Sequence, residues 1–185
     1  MTHSSRRLAD DHLAIEWVLN ELKTALENGE VKTTHAKLDL FWARLAVHIR
    51  AEHLHLFPAV VAGARNKSAN DPSLPDRNQM EVAIERLLDD HEFFMRELAA
   101  AIQIARKLGK SSDTRMDLEG LKKIENIVIQ IERRLETHNE LEENQVYLWA
   151  GIVLSEEKQS ELATRVEREL ANIPPRFSTE AWESS

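Results

Sequence analysis

Two imidazole and carboxylate pairs could do chemistry in this 185-residue chain: His48-Ile-Arg-Ala-Glu52 and His138-Asn-Glu-Leu-Glu142. Each is a His-x-x-x-Glu pair, and four residues on an α-helix is about one turn, so both side chains of a pair lie on one face. Charged and imidazole groups usually avoid an apolar stripe, yet these four occupy one. Stepping about 100° per residue, His48 and Glu52 line up with Phe41, Leu45, Leu56 and Ala59. His138 and Glu142 line up with Ile124, Ile127, Ile131, Leu135 and Trp149.

Two further histidines sit in apolar stripes, His12 and His91, each preceded by an acidic doublet in Leu8-Ala-Asp-Asp-His12 and Leu88-Asp-Asp-His91. The order along the chain is His, His-x-x-x-Glu, His, His-x-x-x-Glu, a weak internal repeat. A bundle of two such helical hairpins would be quasi-twofold symmetric, each half supplying the same three ligands to a shared centre. A lone histidine on an apolar face is more often a hydrogen-bonded core residue than a ligand. Four of them, joined by two carboxylates with no Lys or Arg on the same stripes nearby, favour the ligand role. Buried carboxylates without partners are strongly destabilising, so a cation must meet them. The pattern suits two metal ions held by His12, His48, Glu52, His91, His138 and Glu142, with the two glutamates bridging both.

Other candidates are less determined. His55, one turn beyond Glu52, can be read as a further ligand, a partner of a ligand or a residue lining the entrance; its counterpart in the second half is Gln145. His53 and Glu143 follow the two glutamates and turn away, towards solvent or the outer side of the ligands. Glu16 lies at the rim of its stripe, and His3 and His35 fall outside the inner faces. Tyr147 is placed near the site, with packing as its simplest role.

Composition narrows the setting. The length suits one hydrophobic core. With 42% apolar and 30% charged residues and only five Gly and five Pro, long amphipathic helices and an all-α class are expected. A net charge of -8 argues against binding phosphate backbones, so no nucleic-acid partner is expected. No apolar run approaches the roughly 20 residues that span a bilayer, and Met1 to Asp11 lacks a signal-peptide apolar region, so no membrane partner and a cytoplasmic location are expected. Without cysteine, any metal must be bound by nitrogen and oxygen.

The elements that must position these residues follow from periodicity and capping. A first helix is expected from about Arg6 to Asn28, ended by Gly29, and a second, capped by Thr33 or Thr34, towards Arg65. Pro58 predicts a kink or local break just beyond the proposed ligands. Asn66 to Asn78 reads as the longest loop. A third helix is expected over about Gln79 to Leu108, ended by Gly109, and a fourth, capped by Ser111, Ser112 or Asp113, over about Asp113 to Trp149. Ser155 starts a shorter helix through Leu170, Pro174-Pro175 stops it, and Phe177 and Trp182 could dock the tail.

The ordered set His12, His48-x-x-x-Glu52 with Leu56-Phe57-Pro58, His91, and His138-x-x-x-Glu142-Glu143 resembles the hemerythrin-like, or HHE cation-binding, family over about Leu8 to Trp149. The resemblance implies an antiparallel up-down four-helix bundle over 1–150; the segment after Gly151 has no counterpart in it, and from its own residues 151–185 is expected as an additional C-terminal helix and tail packed on the bundle. It also implies two iron ions with a bridging oxygen, binding dioxygen or nitric oxide or sensing iron or redox state. Oxygen-carrying hemerythrins show His-x-x-x-His on the third helix, where this chain has Met95 four residues after His91. One metal thus loses an imidazole, which argues against stable oxygen carriage and towards sensing, peroxide or nitric oxide chemistry, or iron handling. Manganese or zinc would suit the same donors.

Two alternatives stand beside this non-enzymatic function. A di-iron oxidase or peroxidase of ferritin type wants Glu-x-x-His on two helices; Glu52-x-x-His55 fits and Glu142-x-x-Gln145 does not. A helical interaction module with a structural metal is the other, and homo-oligomers are compatible with either.

Overall fold

The computed structural model describes residues 2–65, 76–110 and 114–177, and among them the chain is helical throughout, without a strand. The helices are α1 (His3–Glu27), α2 (Val31–Ala51), α3 (Phe57–Arg65), α4 (Arg77–Ala105), α5 (Thr114–Leu141), α6 (Tyr147–Val153) and α7 (Glu156–Leu170). A π-helical turn, Glu52–Leu56, joins α2 to α3, and a second, Glu142–Val146, joins α5 to α6. The helices therefore form five continuous rods among the described residues.

Several ends follow the expected local chemistry. Gly29 adopts φ 70°, the left-handed region that lets α1 end sharply just past its Asn28 cap, whereas α4 already ends at Ala105 with Arg106 as its cap, and Gly109, at φ 67°, lies in the turn beyond rather than ending the helix. Asp76 caps α4 by accepting from the Gln79 amide, and Ser155 caps α7 by accepting from that of Lys158. Other ends differ. α1 starts at His3, because the Thr2 side chain accepts from the Ser5 amide. α2 starts at Val31 with Glu30 in the cap position and no side-chain cap bond, so neither Thr33 nor Thr34 caps it; the turn at Gly29 is tight enough that the helix resumes at once. Ser111, Ser112 and Asp113, most of the 66–78 loop and Trp182 lie outside the described residues, while Phe177 packs against the apolar core.

Pro58 does not break its rod. The distortion lies ahead of it, in the π turn that begins at Glu52 itself, where the wider register relieves the clash between the proline ring and the preceding turn. The matching turn at Glu142 has no proline.

α1 packs on α2, α2 on α4, α4 on α5 and α5 on α1, which closes a ring of four rods, while α7 lies across α1, α2 and the first π turn. The apolar interior falls into two clusters. One gathers Ile15, Leu45, Phe94, Ile131 and Leu135, the other Leu8, Leu56, Leu87, Val146 and Tyr147. Burial of such a side chain contributes about 1.5–3 kcal/mol. Between the two clusters, at the same level on all four rods, lie the histidines and glutamates.

Candidate metal centre

α1 contributes His12, the α2 rod His48 and Glu52, α4 His91 and the α5 rod His138 and Glu142. None of the six is more than 5% exposed, and both glutamates are fully buried. The structure thus brings together all six residues singled out by spacing. His12 Nε2 lies 3.1 Å from His48 Nε2 and 3.1 Å from Glu142 Oε2. His91 Nε2 lies 3.0 Å from His138 Nε2 and 3.3 Å from Glu52 Oε2. His48 and His138 face the glutamates of their own pairs at 3.6 and 3.1 Å.

Two donor sets result, each with its atoms within 4.8 Å of one another: His12, His48, Glu52 and Glu142, and Glu52, His91, His138 and Glu142. Either set could hold a metal ion. Both glutamates belong to both sets.

The four Nε2 atoms point inward because every Nδ1 is engaged on the outer side. His12 Nδ1 meets Glu143 Oε1 at 2.8 Å, His48 Nδ1 meets Asp11 Oδ2 at 3.1 Å, and His138 Nδ1 meets Asp90 Oδ2 at 3.2 Å. His91 Nδ1 meets His53 Nε2 at 2.7 Å. A ring nitrogen facing a carboxylate carries a proton and donates it, so in the neutral ring the inward Nε2 keeps its lone pair. Two such lone pairs about 3 Å apart repel unless a proton or a cation lies between them. With the rings neutral, Glu52 Oε2 and Glu142 Oε1, both buried, receive no hydrogen bond. Lone-pair donors and unsatisfied carboxylate oxygens are the complement of a cation, and the nitrogen and oxygen donor set suits iron, manganese or zinc.

Protons fill the cation's role in the metal-free chain. Burial opposes a charge on His138, but the carboxylates of Glu142 and Asp90 outweigh it and raise the ring's pKa to about 9. Burial likewise opposes charge on His48 and His12. Glu52 and Asp11 hold His48 well above its usual range, and Glu142 and Glu143 raise His12. Burial pushes Glu52 up, yet His48 and His91 hold it well below the usual carboxylate range. Burial and the charge of Glu52 push Glu142 up, and His138 and His12 bring it net down. Asp11 and Asp90, raised by burial, are lowered on balance by His48 with Arg44 and by His138 with Arg134.

The acidic doublets are visible in the sequence, but their task is not. Asp11 and Asp90 each reach across to the histidine of the neighbouring His-x-x-x-Glu pair, and each is held from behind by an arginine, Arg44 at 3.1 Å and Arg134 in direct contact. The doublet ahead of a core histidine was the available signal. His53 and Glu143, expected in solvent or on the outer side of the ligands, take the outer side.

Tyr147 enters the centre itself. Its hydroxyl lies 2.9 Å from Glu52 Oε1, 3.3 Å from Glu142 Oε2 and 3.2 Å from His12 Nε2. Burial and both carboxylates push the phenol well above its usual range. Straight α-helical stepping puts a residue five positions on at the opposite face. The π turn changes that, since its i to i+5 bonds run from the Tyr147 amide to the Glu142 carbonyl and from the Phe57 amide to the Glu52 carbonyl. His55 instead faces the surface pocket between α3 and α7, beside Ala59 and Lys158, and joins neither donor set. Gln145 and Glu16 are exposed, His3 faces solvent near Glu156, and His35 lies beside Lys32 and Leu108.

Among the described residues no helix is long and apolar enough to cross a membrane. Comparison of the chain with protein-family models, curated proteins and solved structures gave no match.

Proposed function

We propose that this chain is a hemerythrin-like non-haem di-iron protein that binds or senses dioxygen or nitric oxide. The observation that carries it is the pair of donor sets sharing Glu52 and Glu142. His12 and His48 would hold one iron, His91 and His138 the other, and the two carboxylates would bridge. The closed ring of contacts among the four rods supports an antiparallel up-down bundle, with α7 as the additional C-terminal helix.

Iron supplies, when bound, the redox electrons and open coordination positions that a diatomic ligand needs. The chain does the rest. Asp11, Asp90, Glu143 and His53 orient the imidazoles from outside. The two apolar clusters exclude water on either side of the centre. With the six residues at most 5% exposed, only a small ligand suits the site. Met95 packs against the apolar core four residues after His91, so the second iron lacks a further imidazole there, which favours sensing or iron handling over oxygen carriage. The solvent-facing Gln145 and the placement of His55 weigh against a ferritin-type oxidase.

Reconstitution with ferrous iron under anaerobic conditions, followed by metal analysis and a spectrum before and after dioxygen or nitric oxide, tests this. Two irons per chain and a ligand-dependent visible spectrum are expected, with Glu52→Ala and Glu142→Ala each losing the second iron. Full occupancy in both variants would refute the bridging roles. A metal that raises the melting temperature but gives no spectral response to either gas would favour a helical module with a structural metal.

A further inference from the structure

Resting on the two-metal reading, we infer that Tyr147 is a fifth protein ligand to the His12 and His48 metal, so the two metal positions are unequal and the open position lies on the His91 and His138 side. The phenolic oxygen is 2.9 Å from Glu52 Oε1, 3.2 Å from His12 Nε2 and 3.3 Å from Glu142 Oε2. All three of those residues belong to one donor set. With metal bonds of about 2.0–2.2 Å, ligand atoms at right angles around one ion are about 3 Å apart. The hydroxyl therefore sits at the spacing of a further ligand in that set.

The quasi-twofold relation between the halves supplies the contrast. Tyr147 and Phe57 occupy the same place, five residues after Glu142 and Glu52, one π turn along. The Tyr147 ring stacks near His12 with centroids 5.8 Å apart, and Phe57 stacks near His91 at 6.0 Å. One half thus presents an oxygen to its metal and the other only a hydrocarbon edge. The phenol is also held in place: it is fully buried, and its backbone carbonyl accepts a hydrogen bond from Ser5 Oγ at 3.0 Å. On loading, the phenolic proton leaves to solvent along with the imidazole protons, and the ligand is phenolate.

Tyr147 is the only tyrosine in the chain, so a phenolate signal has one source. The full-length protein loaded with ferric iron should show a phenolate-to-iron charge-transfer band with resonance-enhanced ring vibrations. Tyr147→Phe should keep two irons, lose that band and bind one more azide per chain. Phe57→Tyr, made in the otherwise native chain, should strengthen the band and bind one azide fewer, which keeps the assignment testable if Tyr147→Phe fails to fold. Two irons without a phenolate band, a band that survives Tyr147→Phe, or an azide count unchanged in both variants would overturn the Tyr147 assignment and leave the two-metal reading intact. Failure of the native chain to take up iron would overturn both.

Discussion

Asp11 Oδ2 lies 3.1 Å from His48 Nδ1, so a carboxylate on the first rod sets the orientation of an imidazole on the second. Asp90 does the same for His138 at 3.2 Å, from the third rod to the fourth. Each hairpin thereby aligns its own donors before any metal is present. Loss of a carboxylate behind a metal-bound imidazole typically weakens metal affinity by about 10–100-fold. Asp11→Ala and Asp90→Ala should each do so, as measured by competition with a chromophoric chelator. Affinities within twofold of the native chain would show that the outer carboxylates do not matter to binding.

Metal loading should stabilise the fold, because the donors come from four rods that come apart on unfolding. A ligand at about 1,000 times its dissociation constant adds about 4 kcal/mol. Calorimetry of iron-loaded and chelator-treated protein should show a melting temperature that rises with free metal concentration. A melting temperature that ignores metal would place the binding elsewhere.

The metal-free chain should lose stability as pH rises. The folded pKa of His138, about 9, exceeds its ordinary value of 6.5, so its contribution is fully present below pH 6.5 and disappears as pH climbs through 9. That shift is worth on the order of 3 kcal/mol, and the raised pKa values of His48 and His12 act in the same direction. Glu52, whose pKa is depressed, contributes above its ordinary value of 4.5 and ceases to as pH falls through the lower folded value. Urea melts of chelator-treated protein should therefore show higher stability at pH 6 than at pH 9.5. Bound metal replaces those protons, so the loaded protein should lack the alkaline decline and should release protons as it forms. Equal alkaline slopes for the two forms would contradict this.

Gly63 permits close approach of the two segments beyond the π turns. A Cβ there would stand 2.8 Å from Val153 Cγ2 and 3.0 Å from the Val153 carbonyl oxygen, and the latter is backbone that cannot swing aside. Gly63→Ala should destabilise by about 1–3 kcal/mol, read from denaturant midpoints at unchanged metal stoichiometry. An unchanged midpoint would mean that α3 and α6 separate at little cost.

Helical class, the inward histidines and both His-x-x-x-Glu pairs were legible in the sequence, because a residue's face on a regular helix follows from its number alone. His12, His48, His91 and His138 were found that way, and Asp11 and Asp90 were visible as a motif without a role. Tertiary structure alone decided the rest. The two π turns alter the step between residues just where the glutamates stand. Only the turn ahead of Pro58 had a local cause that sequence could reveal; its twin at Glu142–Val146 has none. That change of register carries Tyr147 and Phe57 to the centre and leaves His55 at the surface, because one extra residue per turn rotates every side chain after it.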